Sequence, residues 1–463
     1  MKMIDHNQIA NLPSEMYAHL RDDVLLKISP SYGIIQRNDG SERRTISRQT
    51  AEALTLLDGR QKISKIINQY IHNSNCSDLE ICKIMIQVAE FITDGFIVLD
   101  NREIISKSKI EGDFTAFYPI SMHVELTKAC NLNCYYCYRD AKADQTKDRL
   151  ETDKLLEILL FLSKKGLHAV ELTGGEPLMH PDFSRIMKFV GEHFSLIGLL
   201  TNGTLITESI LNDMIPFRDK IAVSISLDSH IPSVHDERRG LDGAFDKTTK
   251  AIQLFARNGF TTRVTMALDE YNLRHIEPTM QLSRRLGATM FSYAPILPFG
   301  RAKNHLNFDF WASNTDEILE TEKRLLREYK GFLRLLPEDV LEPNDLGGCG
   351  AGHKSYTMDP RGWIRPCPTF DETQAIFGCF EHQDSSGIFG GELSMSFANI
   401  QPPNPEICQT CEFTYFCMNC SLRGLLGMKW VGEENCSWMN QPRIQKWKDL
   451  VRSHEYKGIQ QSV

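Results

Sequence analysis

The pattern of apolar and polar positions divides the chain into stretches of different character. Two short alternating runs, Val24–Ser29 and Ile34–Asn38, flank Pro30-Ser31-Tyr32-Gly33. Apolar residues at every second position predict strands, and the Pro/Gly segment predicts a turn. Arg43–Ser47 reads as a third strand. Helical spacing follows in Gln49–Leu57, Ile63–Ile71 and Asp78–Thr93, with Asp58-Gly59 and Gly95 as stops. Ser77, with Glu80 three residues on, supplies a capping box for the last helix. Strands followed by three helices predict a winged-helix unit over residues 1–100. Residues 101–117 are polar and mixed, and read as a linker.

Residues 118–335 alternate strand and helix. The strands fall at Ser121–Thr127, His168–Thr173, Ser195–Thr201, Ile221–Leu227, Thr261–Leu268 and Thr289–Ile296. Helical spacing lies between them at Leu155–Lys165, Phe183–His193, Glu208–Pro216, Lys247–Asn258 and Ile276–Leu286. Gly166, Gly259 and Gly287 sit where C-terminal caps are expected. Such alternation predicts an α/β fold with a parallel sheet and right-handed crossovers. Six units predict a partial (β/α)6 TIM-like barrel, with site residues at the carboxyl ends of its strands. Residues 345–440 lack periodicity and are rich in Cys, Gly and Pro, so they need staples other than a large core. Residues 441–463 predict a C-terminal helix and tail.

Composition narrows the class. A chain of 463 residues with 41% hydrophobic and 24% charged content has the balance of a soluble protein of two or three domains. A net charge of −8 gives no footprint for nucleic acid or anionic membrane. Residues 1–100 carry 11 Lys+Arg against 13 Asp+Glu, which argues against a DNA-binding module. No apolar run approaches the roughly 20 residues that span a bilayer. The N-terminus lacks the apolar core of a signal peptide. A cytoplasmic protein with no membrane partner is expected. In that compartment its 13 cysteines point to metal rather than disulfides.

Three of them, Cys130, Cys134 and Cys137, form a C-x3-C-x2-C loop after the first barrel strand. Three thiolates hold three irons of a [4Fe–4S] cube and leave the fourth iron open for chemistry. A structural zinc site would want a fourth ligand nearby. The second strand ends Gly174-Gly175-Glu176-Pro177, where glycines permit close backbone approach. The third ends at Asn202-Gly203, and the fourth at Ser226, ahead of His235-Asp236-Glu237-Arg238-Arg239.

The cysteine loop and the Gly-Gly-Glu-Pro segment resemble those of the radical S-adenosylmethionine (SAM) superfamily. The resemblance implies that SAM binds the open iron. Glu176 and the Gly174/Gly175 backbone would hold its amino group. Ser226 and Arg239 would hold ribose and carboxylate, and Tyr136 and Asn202 would lie near the adenosine. Reductive cleavage would give a 5′-deoxyadenosyl radical. The spacing Cys349-x12-Gly362-x4-Cys367, then Cys408-x2-Cys411-x5-Cys417-x2-Cys420-x15-Cys436, resembles the SPASM extension, with up to two auxiliary clusters. By that resemblance Cys408, Cys411, Cys417 and Cys436 hold the distal cluster, and Cys349, Cys367 and Cys420 the proximal one. Its fourth place is open, filled by Cys379, or empty beside a Cys379 thiol that donates hydrogen. Two residues separate Cys417 from Cys420 where the family commonly has three. Pro368 stands where sulfatase-maturing members carry Asp.

Residues 20–100 resemble the PqqD-like recognition element of enzymes that modify ribosomally made peptides. There a leader adds beside the third strand, here Arg43–Ser47, and packs on the helix Asp78–Phe91. These resemblances imply a radical SAM peptide maturase that forms an intramolecular carbon–carbon or ether crosslink. Thioether formation and epimerisation are the alternatives. Its partners would be a precursor peptide and an external one-electron reductant of flavodoxin or ferredoxin type.

Overall fold

The computed structural model describes residues 14–38, 41–74, 76–304, 314–334, 349–370, 375–409 and 411–458. They fall into two compact units, Met1–Tyr118 and Pro119–Val463.

The first unit holds seven strands: β1 (Tyr17–Leu20), β2 (Val24–Ile28), β3 (Tyr32–Arg37), β4 (Arg43–Ser47), β5 (Asp58–Lys62), β6 (Ile97–Asp100) and β7 (Lys109–Gly112). Its helices are α1 (Arg48–Thr55), α2 (Ile63–Asn73) and α3 (Asp78–Thr93). Ser47 caps α1 by accepting from the Thr50 N–H, and the Ser77/Glu80 capping box opens α3. Leu20, Val24, Leu26, Ile35, Leu54, Phe91 and Phe96 form the core, each worth about 1.5–3 kcal/mol of burial. One sheet runs β4-β3-β2-β7 and leaves β4 at an edge; the other runs β5-β1-β6. The segment 101–117 is not a plain linker. β7 lies in it and pairs in parallel with β2, from Leu25↔Lys109 to Ile28↔Gly112. Four residues with two charges carry too little alternation to announce a strand.

The second unit is built on six parallel strands in the order β13-β12-β11-β10-β9-β8. They are β8 (Ser121–Glu125), β9 (Ala169–Thr173), β10 (Leu196–Thr201), β11 (Ile221–Ser226), β12 (Thr261–Leu268) and β13 (Met290–Pro295). The crossovers carry α4 (Thr152–Ser163), α5 (Phe183–His193), α6 (Glu208–Met214), α7 (Pro232–Arg239), α8 (Ala244–Arg257) and α9 (Ile276–Arg285), and α10 (Thr315–Glu328) follows β13. Along β12 alternate residues Val264, Met266 and Leu268 are buried, as are Ala251, Ile252 and Phe255 of α8. This is the α/β order expected. The helix α7, whose residues are nearly all polar, was not legible from apolar spacing.

The cysteine-rich stretch continues the same sheet. Its β14 (Ser355–Met358) pairs in parallel with β8, from Ser355↔Ser121 to Met358↔Val124. Antiparallel β15 (Trp363–Arg365) and β16 (Gly378–Cys379) follow. Strands of two to four residues are too short to show a period. A buried charge cluster joins this extension to the barrel. Glu125 of β8 accepts from Arg139 at 2.6 Å and from Arg365 of β15 at 3.0 Å. Glu125 and Arg365 are fully buried, and Arg139 is 7% exposed. Among the described residues no helix is long and apolar enough to cross a membrane.

Removing one member of a buried ion cluster costs more than the cluster gains, because the remaining charges stay desolvated. Glu125→Ala is therefore expected to lower unfolding stability by about 3–5 kcal/mol, read from denaturant midpoints. A loss below about 1 kcal/mol would show that the two arginines find other acceptors.

Candidate active site

The C-x3-C-x2-C loop leaves β8 at its carboxyl end, the same end at which the other parallel strands of the sheet finish. Each side of the loop is tied by main chain to another element. The Gly175 N–H donates to the Thr127 carbonyl at 2.7 Å, and the Glu176 N–H to that of Ala129 at 2.8 Å. The Asn133 N–H reaches the Arg239 carbonyl at 3.1 Å, and the Arg301 N–H that of Cys137 at 3.0 Å. These approaches explain the glycines. A Cβ on Gly175 would lie 2.2 Å from the Ala129 oxygen, and one on Gly174 2.4 Å from that of Thr127. The glycines serve contact with the cysteine loop; the Gly175 and Glu176 N–H groups are both spent on it.

Arg301 was missed in the sequence. It follows Gly300, whose φ of +53° suits glycine and whose Cβ would meet the Cys137 oxygen at 2.3 Å. Its Nε donates to the Cys134 carbonyl at 2.7 Å and its Nη1 to Asp140 and to the Ala141 carbonyl. The available signal was Gly300-Arg301 a few residues beyond the sixth strand.

Cys130 and Cys134 are buried, 9% and 8% exposed. Burial, with Glu176 and the other two cysteines nearby, pushes the Cys130 thiol up to about 12. Without metal this thiol stays protonated, so a metal must draw the proton off. The loop fits an iron–sulfur cluster by its donors: three thiols on one short loop, with the Arg239 guanidinium 3.9 Å from the Cys134 sulfur to offset cluster charge. Among the described residues no three His, Cys, Asp or Glu side chains are placed to hold a single metal ion.

The remaining expected contacts line the same end of the sheet. Glu176 is 1% exposed. It accepts from the Thr201 hydroxyl at 2.7 Å, the Asn202 N–H at 2.9 Å and the Leu178 N–H at 3.3 Å. Burial outweighs these bonds and raises its carboxyl to about 7. Asn202 donates to Asn131 of the cysteine loop at 3.0 Å. Ser226 ends β11, beside this group. Arg239 is placed differently from the expectation. It is committed to Asp228, with Nη2 and Nε both at 3.0 Å from its oxygens, so its charge is already answered inside the protein. Tyr136 donates to the same Asp228, with both Arg238 and Arg239 over its ring. Burial opposes the charge on Asp228, but the two arginines hold its carboxyl below the ordinary range. Arg238 pairs with Asp269 at 2.9 Å, and Tyr135 donates to Asp269 as well. Asp228 and Asp269 thus anchor the two adjacent tyrosines and arginines.

At the amino-terminal half of the strands lies a pocket of about 370 Å³, lined by His123, Glu171, Ser224 and Arg263 among others. His123 pairs with Glu171 at 2.5 Å. Burial works against the imidazolium, but the carboxylate overrides it and raises its pKa.

Chain comparisons give this geometry a family. Residues 124–283 match the Radical SAM superfamily model. The matched stretch is a radical SAM domain, and the protein is an enzyme. It uses a [4Fe–4S] cluster and S-adenosylmethionine. It is 28% identical over 458 residues to the antilisterial bacteriocin subtilosin biosynthesis protein AlbA of Bacillus subtilis (strain 168), covering 94% of the enzyme and 99% of that protein. It is 29% identical to the mycofactocin maturase MftC of Mycobacterium tuberculosis (strain ATCC 25618 / H37Rv) over 54% of the enzyme and 64% of that protein. Among solved structures it resembles Streptococcus suis SuiB bound to S-adenosylmethionine, with a TM-score of 0.58 at 17% identity, over 92% of the enzyme and all of that chain.

The cysteines of the C-terminal stretch form two groups and one outlier. Cys408, Cys411, Cys417 and Cys436 influence one another electrostatically, and burial with these neighbours pushes Cys417 up to about 12. Cys349, Cys367 and Cys420 line a second pocket. Cys379 is not among its lining residues. It sits on β16 opposite Trp363, with Glu381, Lys154 and Asp359 around it. The structure therefore brings together every expected ligand except Cys379, whose strand pairing carries it to the other side of β15.

Gly175→Ala places a methyl group against the Ala129 carbonyl. It is expected to reduce iron after anaerobic reconstitution by up to about four atoms per chain, one cluster's worth. Wild-type iron content in this variant would show that the close approach is dispensable.

Proposed function

We propose that this enzyme matures a ribosomally made precursor peptide, installing an intramolecular crosslink in it. The observation that carries the reading is the end-to-end match to a bacteriocin biosynthesis protein, which spans both units rather than the radical SAM domain alone. SuiB, similar over the same span, has also been solved bound to its precursor peptide SuiA.

When bound, the cluster and S-adenosylmethionine would supply a 5′-deoxyadenosyl radical able to take a hydrogen atom from the peptide. Cys130, Cys134 and Cys137 would hold the cluster. The Glu176 carboxylate would accept from the methionine ammonium, and Ser226 and Asn202 would lie toward the nucleoside. Arg239 acts through Asp228 and Tyr136 as a positioning residue. The C-terminal stretch is a SPASM domain whose two cysteine groups carry auxiliary clusters. A flavodoxin or ferredoxin supplies the starting electron.

The first unit is the PqqD-like leader-binding module, of winged-helix type. Its β4 is an edge strand, and a groove of about 490 Å³ beside it is lined by Ser47, Thr50, Lys83, Ile84, Ile86 and Gln87. An open edge next to an apolar-floored groove suits strand addition, with main-chain pairing for affinity and alternate side chains in the groove for selectivity.

Three results test this. Co-expression with a precursor encoded nearby should yield a product lighter by two hydrogens per crosslink; alkylation of free thiols before fragmentation separates a thioether from a carbon or ether link. An unchanged mass with deuterium uptake would mean epimerisation and would overturn the crosslink. Ile86→Glu should weaken leader binding at least about tenfold, near 1.4 kcal/mol, by calorimetry, while SAM cleavage without peptide is unaffected. Equal affinity would remove the groove from the reading. SAM affinity should fall as pH drops through about 7, because the carboxylate form of Glu176 is lost there. The loss approaches about tenfold per pH unit well below that point. Glu176→Gln should bind weakly with a flat profile, and a flat wild-type profile would contradict the ammonium contact.

A further inference from the structure

We infer that His353 is the fourth ligand of the proximal auxiliary cluster, giving a three-cysteine, one-histidine set. The inference rests on the cluster-bearing reading of the C-terminal stretch and assigns the place that the cysteines leave unfilled.

The pocket that collects Cys349, Cys367 and Cys420 is otherwise lined by groups poorly suited to iron: Phe370, Phe397, Ile400, Pro402 and Leu422 are apolar, and Asn419 and Ser421 are neutral. His353 is the one imidazole on its wall. It is 6% exposed, so its ring is held in the interior rather than on the surface. A tight turn puts it there. The His353, Lys354 and Ser355 N–H groups all converge on the Gly350 carbonyl, at 3.2, 2.8 and 2.9 Å. Gly350 and Gly352 take φ of +83° and +76°, and a Cβ on Gly352 would lie 2.3 Å from the Phe397 ring. This turn folds the sequence Cys349-Gly350-Ala351-Gly352-His353 so that both its ends line one pocket.

The protonation state suits a ligand. Burial drives the imidazole to about 4, with Lys354 adding to the effect, so the ring is neutral. One ring nitrogen donates to the Ala351 main chain, which fixes the tautomer. In a neutral imidazole so fixed, the other nitrogen carries the lone pair, and a backbone carbonyl on the far side is the usual orienting contact of a metal-bound histidine. Imidazole in place of thiolate removes one negative charge from the cluster and raises its potential, as in two-histidine iron–sulfur centres. A cluster closed in this way serves as an electron acceptor, not as a docking point for a substrate thiolate. Cys379 plays no part in it.

The test uses the full chain with Cys130, Cys134 and Cys137 all replaced by Ala, reconstituted anaerobically so that only C-terminal clusters are present. About eight irons per chain are expected for two clusters. After reduction, pulsed electron paramagnetic resonance should show nitrogen coupling of a directly bound imidazole. Labelling with 15N-histidine should convert that pattern. His353→Ala should abolish it, and His353→Cys should keep the iron, lose the nitrogen signal and lower the potential. Full iron content without histidine-nitrogen coupling in the unsubstituted site would overturn the assignment while leaving the clusters intact. An absence of iron would overturn both. The isotope result on the histidine-containing chain does not depend on how either His353 variant folds.

Discussion

The active end of this enzyme depends on the main-chain suspension of one loop. The carbonyls of Thr127, Ala129, Cys134 and Cys137 each receive a hydrogen bond from outside the loop. The donors come from the turn after β9 and from the Gly300-Arg301 corner after β13. A buried carbonyl left without a donor costs about 1–3 kcal/mol, so the loop has little freedom to take another shape. The main chain that carries the cysteines is thereby held by the protein's own hydrogen bonds. The burial of these cysteines, which makes the free thiols hard to ionise, is tolerable because a metal removes the protons on binding.

Around the loop runs a second level of order, carried by charge. Asp228 answers Arg238 and Arg239 together, and Asp269 answers Arg238 again, with Tyr135 and Tyr136 closing both ends. Such buried networks contribute less to stability than to specifying one arrangement, since each unpaired member would be costly. Here the arrangement specified is the pitch of the cysteine loop against α7. Arg239, expected to bind ligand, is paired with Asp228 within this frame.

The sequence exposed the parts of the fold that have a period and the chemistry that has a spacing. Six strands with helices between them were legible because each is long enough to alternate, and three cysteines were legible because iron demands their proximity. β7 and β14–β16 were not, for each is only two to four residues long and is defined by its partner strand. Gly174-Gly175 also serves a purpose that the sequence did not show, since sequence cannot reveal that the Thr127 and Ala129 carbonyls of the cysteine loop lie against these glycines. Arg301 and His353 escaped for a related cause. A single polar residue acquires its meaning only from the loop or pocket it faces, and neither the glycine before Arg301 nor the cysteine four residues before His353 says which that is.

The pairing of β14 with β8 would set the spacing between the SAM-cluster loop and the auxiliary clusters proposed for the C-terminal stretch. The strand leading to the SAM-cluster loop and the strand between Cys349 and Cys367 are adjacent in one sheet, with the carboxylate of Glu125 bound to Arg365 across the extension. Electron tunnelling rates fall steeply with distance, and here the distance is governed by a ladder of hydrogen bonds instead of a tether. Insertions in the loops outside these strands would leave that ladder untouched, so the distance between the two cysteine regions and the surface formed by the loops are free to change independently.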